Sequence, residues 1–277
     1  MSKLTTSVAR TPLIGPAALI AYRAKIALAY FYRPLSNLLR WIVKSKETGN
    51  FTYDLEQGNK RYLASMIADI LNLRFTEVRT FFGELEEDAE FKKHIADCTE
   101  KSDWSFIADK EVRLGKRIGW YAVARAIKPK IVIESGVDKG LGACVLTAAL
   151  KRNAQEGHAG RYYGLDINPK AGYLLCDQYA DYGSILYGDA IESIKGFDGV
   201  VDLYVNDSDH SAEYEALEYR AMKSKLSERA VILGDNAHVS AKLLEFSLAE
   251  NRHFVFFREQ PLEHWYPGGG IGISFKR

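Results

Sequence analysis

Cysteine is scarce in this 277-residue chain: Cys98, Cys144 and Cys176 are odd in number and form no CxxC pair. Such scattered spacing speaks against a disulfide framework or a zinc cluster, and it fits a reducing compartment such as the cytoplasm. Long apolar runs are also missing, and none reaches the roughly 18–20 residues a membrane-spanning helix requires. The longest uncharged stretch near the start, Thr11 to Tyr22, is broken by two prolines and a glycine. No small-residue cleavage site follows it, which argues against a secretory signal. Acidic residues are absent from the first 46 positions, which hold eight of the 37 basic residues. The remaining 29 bases face all 36 acids, so a positive arm precedes an acidic body.

What is present divides the chain into three. Residues 1–46 form the basic arm, for which the sequence leaves three readings open. "LSNLLRWI" spaces Leu35, Leu38, Leu39 and Ile42 for a helix pair packed on the body. Tyr30, Phe31, Tyr32 and Trp41 among Arg and Lys suit peripheral contact with a membrane surface. The acid-free start also permits a transit peptide. Nucleic-acid binding is not expected, because the bases are thinly spread and the body is acidic. Residues 47–110 read as helical: "NKRYLASMIADILNL" places Leu63, Met66, Ile67, Ile70 and Leu71 on one face, and "EVRTFFGELEED" and "AEFKKHIAD" follow. The acids Glu84, Glu86, Glu87 and Asp88 read as a solvated face.

Residues 111–277 alternate strands with helices. "KIVIES", "RYYGLDI", "SILYGD", "VDLYVND" and "AVILGDN" are each followed by a helical stretch, including "AGYLLCDQYADY" after the second. "HFVFFRE" and "GIGISFK" end the chain with no helix between them. The fold class is therefore α/β: a Rossmann-like, doubly wound, mostly parallel sheet with an antiparallel C-terminal edge hairpin, plus an N-terminal helical region. Ligands of such sheets lie beyond the carboxyl ends of the strands.

The first strand runs into "VIESGVDKGLG", where the order Gly136-x-x-x-Gly140-x-Gly142 departs from the GxGxxG of nicotinamide sites. Asp166 ends the second strand, where a carboxylate can accept from ribose hydroxyls. Asp189 ends the third, where it can accept from an adenine amine. Each acid alone could as well cap a helix. No basic cluster awaits a pyrophosphate, which points to an adenosine ligand without phosphates.

"VIESGVDKGLG … GLDI … YGDA … NDSDH … GDN" resembles the class I S-adenosylmethionine-dependent methyltransferases, and within them the divalent-metal-dependent small-molecule O-methyltransferases. The resemblance covers about residues 110–277. It implies S-adenosyl-L-methionine as cofactor, with Glu134, Gly136 and Gly140 lining its methionine end, Asp166 on the ribose, and Asp189 and Ala190 bordering the adenine. It also implies a homodimer. Asp207, Asp235 and Asn236 stand at neighbouring strand ends as hard oxygen donors suited to Mg2+. His210 and His238 are the candidate general bases, His210 standing where relatives with aromatic substrates carry lysine. The expected acceptor is a hydroxyl of a small molecule, sugar or natural product. The alternatives are a metal-independent enzyme acting on a lipid or glycan, a nicotinamide oxidoreductase disfavoured by the glycine order, and a non-catalytic cofactor-fold module at a membrane surface. Trp265 and Tyr266 in "EHWYPGGG" are candidates for an acceptor-pocket wall, hairpin packing or a subunit contact.

Overall fold

The structure, a computed structural model, describes residues 11, 12, 14–235 and 237–277. The described residues up to Ser45, with Glu263–Tyr266, form one compact unit, and residues 46–262 with 267–277 form another. The first unit is built on α1 (Gly15–Lys44), one continuous helix rather than a pair. Pro16 sits in its first turn, where a missing N–H is tolerated, and Pro34 removes one interior backbone bond without ending the helix. Trp265 packs edge-on against Trp41 with ring centroids 5.3 Å apart, and Asn37 donates to the His264 carbonyl. Trp265 is thus held by α1 within this unit. Among the described residues, no helix is long and apolar enough to cross a membrane.

The second unit begins with α2 (Gln57–Leu71), α3 (Phe75–Glu86) and α4 (Ala89–Lys101). The predicted face of α2 is the one that turns inward, with Leu63 and Ile67 fully buried. The acids of α3 are partnered rather than simply solvated. Glu84 accepts from Tyr121 and from the buried Arg125, Glu86 pairs with Lys60, and Asp88 caps α4 by accepting from the Phe91 N–H. Arg125 cannot be left unpaired in a buried position, and Glu84 and Glu156 supply its counter-charges.

After α5 (Arg117–Ile127) comes the sheet, with β1 (Ile131–Ser135), β2 (Arg161–Asp166), β3 (Gly183–Tyr187), β4 (Val201–Asn206), β5 (Leu226–Asp235), β6 (His253–Arg258) and β7 (Gly270–Phe275). Their spatial order is β3-β2-β1-β4-β5-β7-β6. The first five run parallel, while β7 lies antiparallel between β5 and β6. The last two strands do form the expected hairpin, with β6 at the outer edge. The crossover helices are α6 (Leu141–Gln155), α7 (Asp177–Ala180), α8 (Ala190–Gly196), α9 (Ala212–Met222) and α10 (Lys242–Ala249).

Strand alternation assigns the two faces. Ile133, Leu165, Tyr204 and Ile232 pack with α8, α9 and α10 around Ile194, Tyr219 and Leu243. Glu134, one position after Ile133, turns to the opposite face, where α6 lies. Helix α7 is only four residues long, far shorter than "AGYLLCDQYADY" suggests. The preceding segment spends its N–H groups elsewhere: Gly172 donates to the Asp138 carbonyl at 2.6 Å and Leu174 to the Lys139 carbonyl at 3.0 Å. A helix there would forfeit those bonds. The same segment brings Cys176 to within 3.1 Å of Cys98 on α4, so cysteines 78 positions apart meet. The scattered spacing had spoken against any such cluster, and it is the packing of α4 on this segment that brings the two together.

Candidate active site

A cleft of about 440 Å3 opens beyond the carboxyl ends of β1 to β4, lined among others by Gly136, Asp138, Asp166, Asp189, Ala190 and Asp207. Five carboxylates line it, and no lysine or arginine does. Such a wall repels phosphate and attracts a cation.

The glycine loop is shaped as much by protein contacts as by any ligand. Gly136 has φ +81°, and a Cβ there would lie 2.1 Å from the Asp207 carbonyl oxygen. Only glycine lets the β1 and β4 loops meet backbone to backbone at that point. Asp166 reaches back into the loop, accepting from Val137 N–H at 2.9 Å and Asp138 N–H at 3.0 Å, and it also accepts from Asn168 N–H. Asp189 caps α8 through Glu192 N–H at 2.9 Å and accepts from the Tyr214 hydroxyl at 3.1 Å. Both acids thus hold local structure while facing the cleft. Glu134 and Gly140 do not line it. Glu134 is buried and accepts from the Tyr162 hydroxyl, and burial pushes its carboxyl up to about 7. Gly140 is the N-cap of α6.

Beside the cleft lies a second cluster. One ligand atom each of Asp207, His210 and Asp235 lie within 4.8 Å of one another. Lys116, at the start of α5, forms a buried ion pair with Asp235, and Arg117 stands 3.7 Å from Asp207. Burial opposes the charge on Lys116, but Asp235, Asp207 and Glu259 outweigh it and hold its pKa above the usual lysine range. Burial, and then Asp235 beside it, push the Asp207 carboxyl well above the usual range. Burial works against Asp235 as well, yet the adjacent Lys116 wins and holds it below that range. Two carboxylates thus stand close together beside two cations. Two carboxylates and an imidazole make a donor set that a divalent cation can take. Asn236, the third expected oxygen ligand, lies outside the described residues.

His210 Nε2 is 3.9 Å from Asp207 Oδ1 and its Nδ1 is 4.0 Å from Glu215 Oε1. His238 is exposed, with its ring against Phe256, and burial and Arg258 lower its pKa. The structure brings His210 into the acidic cluster and does not bring His238 into it. Sequence reading missed Lys116 and Arg117, adjacent bases at the start of α5. It also missed Glu218, whose carboxylate accepts from Asn206 and Ser208, both at 2.6 Å, and fixes the start of the β4 loop.

Residues 133–237 match a family described as a methyltransferase domain. A search of curated proteins finds no match to the chain. Among solved structures, similar folds include an O-methyltransferase from Bacillus cereus in complex with S-adenosylhomocysteine (13% identity, 78% of this chain, 97% of that one, TM-score 0.50). Another is an O-methyltransferase of Streptomyces achromogenes involved in tomaymycin synthesis, in complex with S-adenosylmethionine (12%, 68%, 90%, TM-score 0.50). A third is a methyltransferase from Geobacter sulfurreducens (16%, 67%, 90%, TM-score 0.50). The match to the methyltransferase-domain family falls on the strands and loops that build the cleft.

Proposed function

We propose that the chain transfers the methyl group of S-adenosylmethionine to a hydroxyl of a small molecule, a sugar or natural product, with a divalent cation such as Mg2+ at the acceptor. The observation that carries this reading is the position of Asp207, which lines the cleft and also belongs to the cluster with Asp235 and His210. Cofactor and acceptor chemistry therefore share one side chain.

The carboxylate-lined cleft, free of lysine and arginine, suits a sulfonium cation and an uncharged adenosine. Asp166 holds the glycine loop and offers its carboxylate to the ribose, while Asp189 and Ala190 border the adenine. Asp207 and Asp235 would hold the cation. Once bound, it supplies Lewis acidity that lowers the pKa of the acceptor hydroxyl. His210, between Asp207 and Glu215, takes the hydroxyl proton. The acceptor oxygen then attacks the sulfonium methyl in line, and holding the two reactants together supplies much of the rate.

Calorimetric titration with S-adenosylhomocysteine, comparing wild type and Asp166→Ala, tests the cofactor half. Saturable binding weakened in the variant supports it; no binding by folded wild type sinks it. A methyl-transfer screen over hydroxyl acceptors, with Mg2+ and with chelator, tests the acceptor half, and activity unaffected by chelator would favour the metal-independent alternative.

A membrane-surface role for α1 is part of the same reading. Ile26, Leu28, Phe31, Leu35 and Leu39 are exposed on it, and Arg23, Lys25, Arg33, Arg40 and Lys44 lie among them without an acid. An amphipathic, purely basic helix suits anionic lipid. Flotation with anionic vesicles should carry full-length protein and leave a deletion of residues 1–46 behind; equal binding by both would remove the idea.

A further inference from the structure

The three cysteines, so far apart in sequence, gather around the segment that follows β2. Cys98 Sγ lies 3.1 Å from Cys176 Sγ and 3.9 Å from His94 Nδ1. Cys176 Sγ is 3.7 Å from Asp177 Oδ2, and His94 Nδ1 is 3.9 Å from that same oxygen. Four donors from two elements, α4 and the segment running into α7, thus converge with every ligand atom within 4.8 Å of the others. In a tetrahedral zinc site, with Zn–S about 2.3 Å and Zn–N or Zn–O about 2.0–2.1 Å, ligand atoms stand roughly 3.3–3.8 Å apart. The observed separations bracket that range.

The imidazole is already held in place. His94 is nearly buried, and its Nε2 lies 2.9 Å from the Leu174 carbonyl, a partner to which it can only donate. Donation there leaves Nδ1 as the acceptor nitrogen, 3.9 Å from Asp177 Oδ2, while Cys98 Sγ lies 3.8 Å from Nε2 and 3.9 Å from Nδ1. A metal-ligating histidine is typically oriented by this kind of second hydrogen bond. The T-shaped contact with Tyr179, ring centroids 4.7 Å apart, holds the ring from the other side. The Cys144 thiol donates to the same Leu174 carbonyl at 3.1 Å, so the third cysteine supports the site without joining it.

We propose that His94, Cys98, Cys176 and Asp177 form a structural zinc site, separate from the acidic centre at Asp207 and Asp235. Two thiols with an imidazole and one carboxylate select Zn2+ over Mg2+ or Ca2+. On binding, each thiol gives up its proton to solvent and its sulfur forms a bond to the metal; no redox change occurs. Four protein ligands leave no open position for catalysis. The site's effect is mechanical: it ties α4 to the segment whose Gly172 and Leu174 N–H groups bond the Asp138 and Lys139 carbonyls of the glycine loop. The metal would then brace the cofactor loop from behind.

Co2+ titration of chelator-stripped, reduced, full-length protein tests this. One equivalent should give visible bands of tetrahedral intensity together with a near-ultraviolet thiolate-to-cobalt charge-transfer band, both lost on adding Zn2+. Cys98→Ser and Cys176→Ser should each weaken the charge-transfer band, and Asp207→Asn should leave it intact. The wild-type spectrum reports thiolate ligation by itself, so a variant that fails to fold does not blunt the test. Absence of a charge-transfer band in reduced wild type overturns the proposal, as does a Cys98–Cys176 disulfide recovered from unreduced protein that binds no Co2+ after reduction.

Discussion

The Lys116 ammonium lies against the Asp235 carboxylate, and both side chains are withdrawn from solvent at the carboxyl end of β5. Lys116 is further tied down through its backbone N–H, which donates to Glu259 at 3.1 Å. Removing one member of a buried pair strands the other, which costs about 3–5 kcal/mol, whereas replacing both by apolar groups is often near neutral. Lys116→Met should therefore destabilise the protein strongly, and Lys116→Met/Asp235→Leu should recover most of the loss. Urea unfolding in the presence of chelator reads the difference. Equal destabilisation by the single and the double variant would show that the pair matters through packing and not through charge.

His210 faces Asp207 and Glu215 but does not line the cofactor cleft. Its replacement should therefore separate chemistry from cofactor binding. We expect His210→Ala to lower kcat by ~100-fold or more, the usual contribution of a general base. Affinity for S-adenosylhomocysteine should stay near that of wild type. His238→Ala, altering an exposed ring against Phe256, should leave kcat close to wild type. A reversal of the two effects would reassign the base.

The parts of this site that were legible in the sequence are those that strand ends dictate. Gly136, Asp166, Asp189, Asp207 and Asp235 each follow a run of β-branched or aromatic residues, and parallel strands put such positions at one rim. What stayed hidden comes from outside that repeat. Lys116 and Arg117 precede the first strand, and nothing in their spacing says that α5 delivers them to the ends of β4 and β5. Cys98 and Cys176 meet only because α4 packs directly on the segment after β2. Glu134 differs: its place before the glycines marked it as a cleft residue, while alternation along β1 turns it inward, where Tyr162 donates to it.

Gly142 makes room for Glu134. A Cβ at Gly142 would fall 2.1 Å from Glu134 Oε1 and 2.8 Å from the Trp120 ring, and both neighbours are buried. Within a helix, glycine to alanine ordinarily stabilises by about 0.5–1 kcal/mol. Here overpacking should dominate and Gly142→Ala should destabilise by about 1–3 kcal/mol. Adding Glu134→Ala should relieve part of that loss, which thermal unfolding of the two variants would show. A stabilised single variant would mean that the Glu134 carboxylate can move aside freely.

Glu134 also carries a pH signature. Burial raises its carboxyl from an ordinary 4.5 to about 7, against the hydrogen bond from Tyr162 that favours the ionised form. Between those values the folded chain binds a proton that the unfolded chain has released, so stability falls as pH rises through this window. The contribution is fully present below about pH 4.5 and is lost above about pH 7. A shift of this size corresponds to on the order of 3 kcal/mol. Glu134→Gln keeps an acceptor for the Tyr162 hydroxyl and removes the titration. Measured by urea unfolding, wild type and variant should differ little at pH 5 and diverge toward pH 8, with the variant more stable. Parallel curves across that range would mean that Glu134 ionises in the fold as easily as in water, and that its burial is offset by a partner other than Tyr162.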